Sequence, residues 1–104
     1  MVLENYMVGG RDRYSAKRTC RPTNFLFLDP SAKNVSVIGD FNGWKPEAHP
    51  MRRQPDGGWH IQIPLCHGHH RYLFWVDGKT VVDPRAQGMA RNEMNERVCL
   101  VAVS

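Results

Sequence analysis

From about position 23 onward, short runs of β-branched and aromatic residues alternate with clusters of turn-formers. "TNFLFL" (23–28) is stopped by "DPSAKN", and "VSVIG" (35–39) by "DFNGW". A short strand is expected within "HPMRR" (49–53), before the turn "QPDGG". "WHIQIPL" (59–65) alternates, with Trp59, Ile61 and Ile63 on one face and His60 and Gln62 on the other. "HRYLFWV" (70–76) follows. The pair Asp77–Gly78 then signals a two-residue hairpin turn, and "KTVV" (79–82) returns as its partner. "DPRAQGMARNEMNE" (83–96) reads as a loop, with Gly88 interrupting any helical turn, and "RVCLVAV" (97–103) as a final strand. The pattern predicts an all-β, immunoglobulin-like antiparallel β-sandwich of about seven strands.

Period two also assigns faces. Tyr72, Phe74 and Val76 share one side of their strand, and Arg71, Leu73 and Trp75 share the other. With the first set pointing inward to meet Trp59, Ile61 and Ile63, Trp75 points out. Trp59 and Phe41 are expected in the core. Trp44 is conspicuous because it sits in "GDFNGWKPEAHPM" (39–51), among residues that favour turns. Within that stretch Gly39 and Gly43 free the backbone, and Asp40 and Asn42 can bond to neighbouring amides.

At 104 residues the chain fits one domain, and 41% hydrophobic content separates it from disordered chains. Residues 21–104 form the expected domain and residues 1–20 an expected mobile arm. The net charge of +4 is uneven: residues 1–24 carry Arg11, Arg13, Lys17, Arg18 and Arg21 against Glu4 and Asp12. The body is close to neutral, so the basic character belongs to the arm, which reads as a solvated tail or a docking segment for a protein partner. Nucleic acid is disfavoured because the arm lacks a stacking platform. No apolar run reaches the ~20 residues of a membrane span. No secretory signal pattern is present, and Cys20, Cys66 and Cys99 have no framework spacing. Reduced thiols and a cytoplasmic location are expected.

The motifs "VSVIGDFNGW", "DGGWHIQIP", "HRYLFWVDG" and "VVDP" occur in an order and spacing that resemble family-48 carbohydrate-binding modules. These are the early-set domains of glycogen branching enzymes, isoamylases and the β-subunit of AMP-activated kinase. The resemblance runs over residues 21–103. It implies a non-catalytic module that binds glycogen or another α-1,4-glucan. Trp44 matches the family's glucose-stacking loop tryptophan. Two further family contacts are not matched: Thr80 stands at a tryptophan position and Leu73 at a lysine position. Trp75, two residues beyond Leu73 on the same face, is the expected substitute platform. Candidate hydroxyl contacts are Asn42, Lys45, Arg71, Lys79 and Asn95, with Asn92 an alternative to Asn95. Aromatic faces cover the axial C–H groups of a pyranose and polar side chains bond its equatorial rim, so a few anchors carry the binding. The alternative is an interaction or scaffold module that keeps the fold without the sugar site.

Other chemistry is not expected. "CHGHH" (66–70) gathers a thiol and three imidazoles, but adjacent ligands on a short loop do not close a tetrahedron, so no metal or cofactor is assigned. The acids lie mostly at turns, and nothing pairs two carboxyls across a cleft. Nucleophile and phosphate-loop motifs are absent, so no catalytic residues are assigned.

Overall fold

A computed structural model describes residues 20–104. The expectations for residues 1–19, including the arm and its docking role, lie outside the described residues. Eight strands follow one another: β1 (Cys20–Leu28), β2 (Val35–Gly39), β3 (Arg52–Arg53), β4 (Gly58–Cys66), β5 (Gly68–Val76), β6 (Lys79–Val81), β7 (Gly88–Arg91) and β8 (Arg97–Val103). They form two antiparallel sheets. The smaller has the order β1-β4-β3; the larger runs β2-β5-β8-β7, with β6 beside the C-terminal half of β5.

The alternation in the sequence becomes the two sides of the sandwich. In the small sheet, Phe25 lies opposite Ile61 and Phe27 opposite Trp59, so all four point inward. Tyr72, Phe74 and Val76 meet them from β5. Phe25 and Tyr72 make an edge contact at 5.0 Å, and Phe27 reaches Phe74 at 4.8 Å. Val35, Val37, Cys99, Val101 and Val103 complete the interior. Each such side chain contributes about 1.5–3 kcal/mol of apolar burial.

Asp77 and Gly78 both have positive φ, at 48° and 88°, as a tight hairpin turn of this type requires. The Asp77 carboxylate accepts hydrogen bonds from the amides of Lys33 and Asn34, which ties the turn to the β1–β2 connection. The amide of Asn34, then that of Lys33, holds its pKa below the ordinary aspartate value.

Two expectations are corrected. The segment 83–96 is not all loop: Gly88–Arg91 pairs with β8, Met89 lying opposite Cys99. This strand has little intrinsic β-propensity and is specified by the neighbour it pairs with. The thiols are also not all reduced. The β1/β4 register sets Cys20 directly opposite Cys66, with Cα atoms 3.9 Å apart, and the two are joined in a disulfide. Cys99 is the free thiol among the described residues. It is buried, and burial pushes its pKa up.

One polar cluster lies inside the sandwich. The Tyr72 hydroxyl donates to the Asp83 carboxylate at 2.6 Å, whose other oxygen accepts the Arg85 amide at 2.8 Å. Burial, reinforced by the Asp83 hydrogen bond, raises the Tyr72 pKa far above its ordinary 10.0. The folded state therefore holds the neutral phenol, and this stabilisation is complete below pH 10 and is lost as pH rises above it. Tyr72→Phe is expected to cost about 1–3 kcal/mol at neutral pH by leaving the Asp83 oxygen short of a donor. Chemical denaturation at pH 7 and at alkaline pH checks this: the gap between wild type and variant narrows above pH 10. A gap that is constant across this range contradicts the assignment.

Candidate functional site

The loop after β2 is built around one side chain. Asn42 folds back so that its Oδ1 accepts the Gly39 amide at 3.0 Å and the Trp44 amide at 3.1 Å. Its Nδ2 donates to the Val37 carbonyl at 3.0 Å and meets His49 Nδ1 at 2.8 Å. Both lone pairs and both hydrogens of the amide are thereby used. The Trp44 amide also donates to the Gly39 carbonyl at 2.9 Å. These bonds hold Trp44 at φ 61°, a backbone region that a bulky residue rarely occupies. The chain then returns along the free edge of β2: Val37 donates to the His49 carbonyl and Met51 donates to the Val35 carbonyl.

Gly39 permits the turn. A Cβ at this position would lie 2.6 Å from the Arg71 carbonyl oxygen and 2.5 Å from the edge of the Phe41 ring. Asp40 secures the other side. Its amide donates to the Arg71 carbonyl at 3.0 Å, and its carboxylate accepts the Arg71 amide at 3.1 Å.

This scaffold places Trp44 beside a shallow depression of about 340 Å³, lined by Asp40, Trp44, Arg71, Asn92, Glu93 and Met94. The far wall is the turn between β7 and β8. Asn92 organises it: its Oδ1 accepts the amides of Met94 and Glu96, both at 2.9 Å, and its Nδ2 donates to Glu96. Met94 stands 79% exposed, so the depression has an apolar wall on each side. Asp40, Arg71 and Glu93 supply carboxylate and guanidinium groups around it.

Of the residues singled out from the sequence, Trp44, Arg71 and Asn92 line this depression together, with Lys45 exposed immediately after Trp44. Asn42 has a different place from the hydroxyl contact expected of it, because its amide is consumed in holding the loop. Asn95 lies on the far turn at φ 63°; its carbonyl accepts a bond from Arg91, and its side chain does not line the depression. Trp75 shares the outward face of β5 with Arg71. It lies two strand repeats further on, about 13 Å along the strand. Both tryptophans are partly buried and pack against the core. Thr80 stands opposite Trp75 on that face, whereas Lys79 lies opposite Val76, on the other side of the hairpin and away from the depression. Between the tryptophans, Ile38 and Leu73 lie opposite one another on the outward face of the sheet, and both are buried. Leu73 is thus covered on the outer side and does not line the depression.

Asp40, Glu93 and Met94 were missed. Asp40 reads as a turn residue, and the other two fall in a segment that looked structureless. Only the nearness of Asp40 to Trp44 in the chain hinted at its position. In "CHGHH", Cys66 is taken by the disulfide, and His70 Nε2 bonds to the Cys66 carbonyl at 2.7 Å. Among the described residues, no group of three or more His, Cys, Asp or Glu side chains converges as metal ligands would. None of their helices is long and apolar enough to cross a membrane.

A β-sandwich carrying an aromatic, polar-rimmed depression on an open sheet face has the form of a sugar-binding module. Residues 13–94 match carbohydrate-binding module 48, the isoamylase N-terminal domain family, and the chain belongs to that family. It is similar to the 1,4-alpha-glucan branching enzyme GlgB of Bordetella pertussis (strain Tohama I), 43% identical over 74 residues, which cover 65% of this chain and 10% of that protein. With GlgB 2 of Xanthomonas campestris pv. campestris (strain 8004) it shares 40% identity over 68 residues, 61% of this chain and 9% of that protein. The GlgB of Cupriavidus pinatubonensis is 60% identical over 45 residues, 42% of this chain and 6% of that protein. The chain thus spans a tenth or less of the length of these relatives.

If Asn42 holds Trp44 in place, Asn42→Ala leaves the Gly39 and Trp44 amides without their side-chain acceptor and releases the indole. The expected result is a red-shifted Trp44 emission and a loss of about 1–3 kcal/mol in stability. Emission is read against a Trp44→Phe background. An unchanged spectrum and melting point contradict the bracket.

Proposed function

We propose that this domain binds α-1,4-glucan, glycogen or maltooligosaccharide, in the depression between the Trp44 loop and the 92–96 turn. The observation that carries this reading is Trp44. Its backbone is held in a strained conformation by a saturated asparagine, beside a cluster of polar side chains. A pyranose offers an apolar face of C–H groups to an aromatic ring and a rim of hydroxyls to carboxylates and guanidinium groups. Trp44 and Met94 suit the former; Asp40, Arg71 and Glu93 suit the latter, with Lys45 and Asn95 at the margin. Trp75, about 13 Å along β5 from Arg71, would serve another glucose unit of the same chain rather than the same ring. The names of the similar proteins, which specify a 1,4-alpha-glucan, support this class of ligand.

In this reading the domain is non-catalytic. Asp40 is committed to the Arg71 amide and faces His70, as a positioning group rather than a free acid or base. An open depression recognises a polymer by a few contacts, so an affinity of about 10 μM to 1 mM, or ~4–7 kcal/mol, is expected. The domain then serves to bring the protein that contains it to the polymer.

Titration with maltoheptaose, followed by calorimetry, tests the reading. Trp44→Ala is expected to weaken binding at least tenfold, about 1.4 kcal/mol. Arg71→Ala is expected to weaken it several-fold, and Lys79→Ala to leave it unchanged. Wild-type affinity in a folded Trp44→Ala variant contradicts the stacking role. No binding by the wild type favours a module that kept only the fold.

A further inference from the structure

The disulfide lies close to the depression through a short series of contacts. Cys20 opens β1 and Cys66 closes β4, directly opposite one another at the end of the small sheet. Cys20 is exposed and Cys66 is partly buried. A single residue, His67, separates Cys66 from β5, so fixing Cys66 also fixes the start of that strand. The Cys66 carbonyl accepts His70 Nε2 at 2.7 Å, which sets the imidazole orientation. The same ring stands edge-on to Phe41 at 6.1 Å, and its Nδ1 lies 3.8 Å from the Asp40 carboxylate. Asp40 and Phe41 are the first two residues of the Trp44 loop, and Asp40 lines the depression. His70 is therefore the joint between the sulfur pair and the proposed sugar site.

We propose that Cys20–Cys66 is a reversible thiol–disulfide site that controls how firmly the Trp44 loop is held, and thereby how tightly the domain binds glucan. The proposal rests on the glucan reading of the depression. The reductant is a dithiol. One of its thiolates attacks the exposed Cys20 sulfur, the Cys20–Cys66 bond breaks, and Cys66 leaves as a thiolate that takes up a proton. The second reductant thiol then attacks the mixed disulfide and releases Cys20 as a thiol. The domain gains two electrons and two protons, and the reductant leaves as its own disulfide. Once reduced, the ends of β1 and β4 separate freely. The Cys66 carbonyl is no longer a fixed acceptor, and His70 is free to turn away from Phe41 and Asp40. The other thiol, Cys99, is buried and takes no part.

The experiment uses the full chain, oxidised or reduced with dithiothreitol. Alkylation under native conditions, read by mass, reports the thiols. Maltoheptaose titration reports the site, and amide hydrogen exchange at Asp40, Arg71 and Trp44 reports the loop independently of any sugar. The expected result is two additional adducts after reduction, faster exchange at the three amides, and three- to tenfold weaker binding. Cys66→Ser is expected to behave as the reduced form under both conditions. Unchanged exchange and affinity after two alkylations overturn the proposal, as does accessible Cys20 and Cys66 thiol in the oxidised protein. Faster exchange without glucan binding in either state supports the coupling and overturns the glucan reading.

Discussion

The asparagine amide of residue 42 is the constraint on which the site depends. The apolar contacts of Phe41 and Trp44 with the core do not by themselves fix the backbone of this five-residue turn. It relies instead on a side chain with two donors and two acceptor positions, each spent on a partner within the loop, on the strand it leaves or on the returning segment. With all four satisfied, the amide fixes the peptide at Gly39, the strand exit at Val37 and the return at His49 together. Trp44 then occupies an otherwise costly backbone region because the alternative leaves buried polar groups without partners. The geometry of the depression follows from that one choice.

The larger sheet supplies the floor. Its outward face is not a solvated surface of the ordinary kind, since Ile38, Leu73 and Val98 on that side are buried as deeply as core residues. The sandwich is in effect apolar on both sides of its central strands. The loops that close over the outer side bring Trp44 and the 92–96 turn together. The opposite face of the molecule, formed by the small sheet, carries Leu26 and Leu28 in the open on an edge strand. The two faces differ in kind: one has an aromatic bracketed by polar groups, the other scattered aliphatic side chains.

Much of this was legible in the residues themselves. The set Trp59/Ile61/Ile63 follows from alternation with polar residues, whereas alternation divided β5 into Tyr72/Phe74/Val76 and Arg71/Leu73/Trp75 and the match to the neighbouring strand chose the inward set. The Asp77–Gly78 turn was legible because few dipeptides tolerate two successive positive φ values. The family motifs singled out Trp44 on the loop after β2. What was not legible depended on contacts distant in sequence. β7 lacks the β-branched residues that mark a strand and exists only through pairing with β8. Cys20 and Cys66 meet because the β1/β4 register brings together residues 46 positions apart. Asn42 was read both as a partner for neighbouring amides, which it is, and as a free hydroxyl contact, because composition does not reveal that the whole amide is already spent. Met94 and Glu93 gained meaning only when the β7–β8 turn was seen opposite Trp44.

The most direct measurement of the central claim is a map of intermolecular nuclear Overhauser effects between maltoheptaose and the isotope-labelled chain. Contacts are expected from pyranose C–H protons to the Trp44 indole, together with contacts to the Met94 methyl across the same depression. Contacts confined to Leu26 and Leu28 on the other face, with the Trp44 indole silent, would contradict the claim.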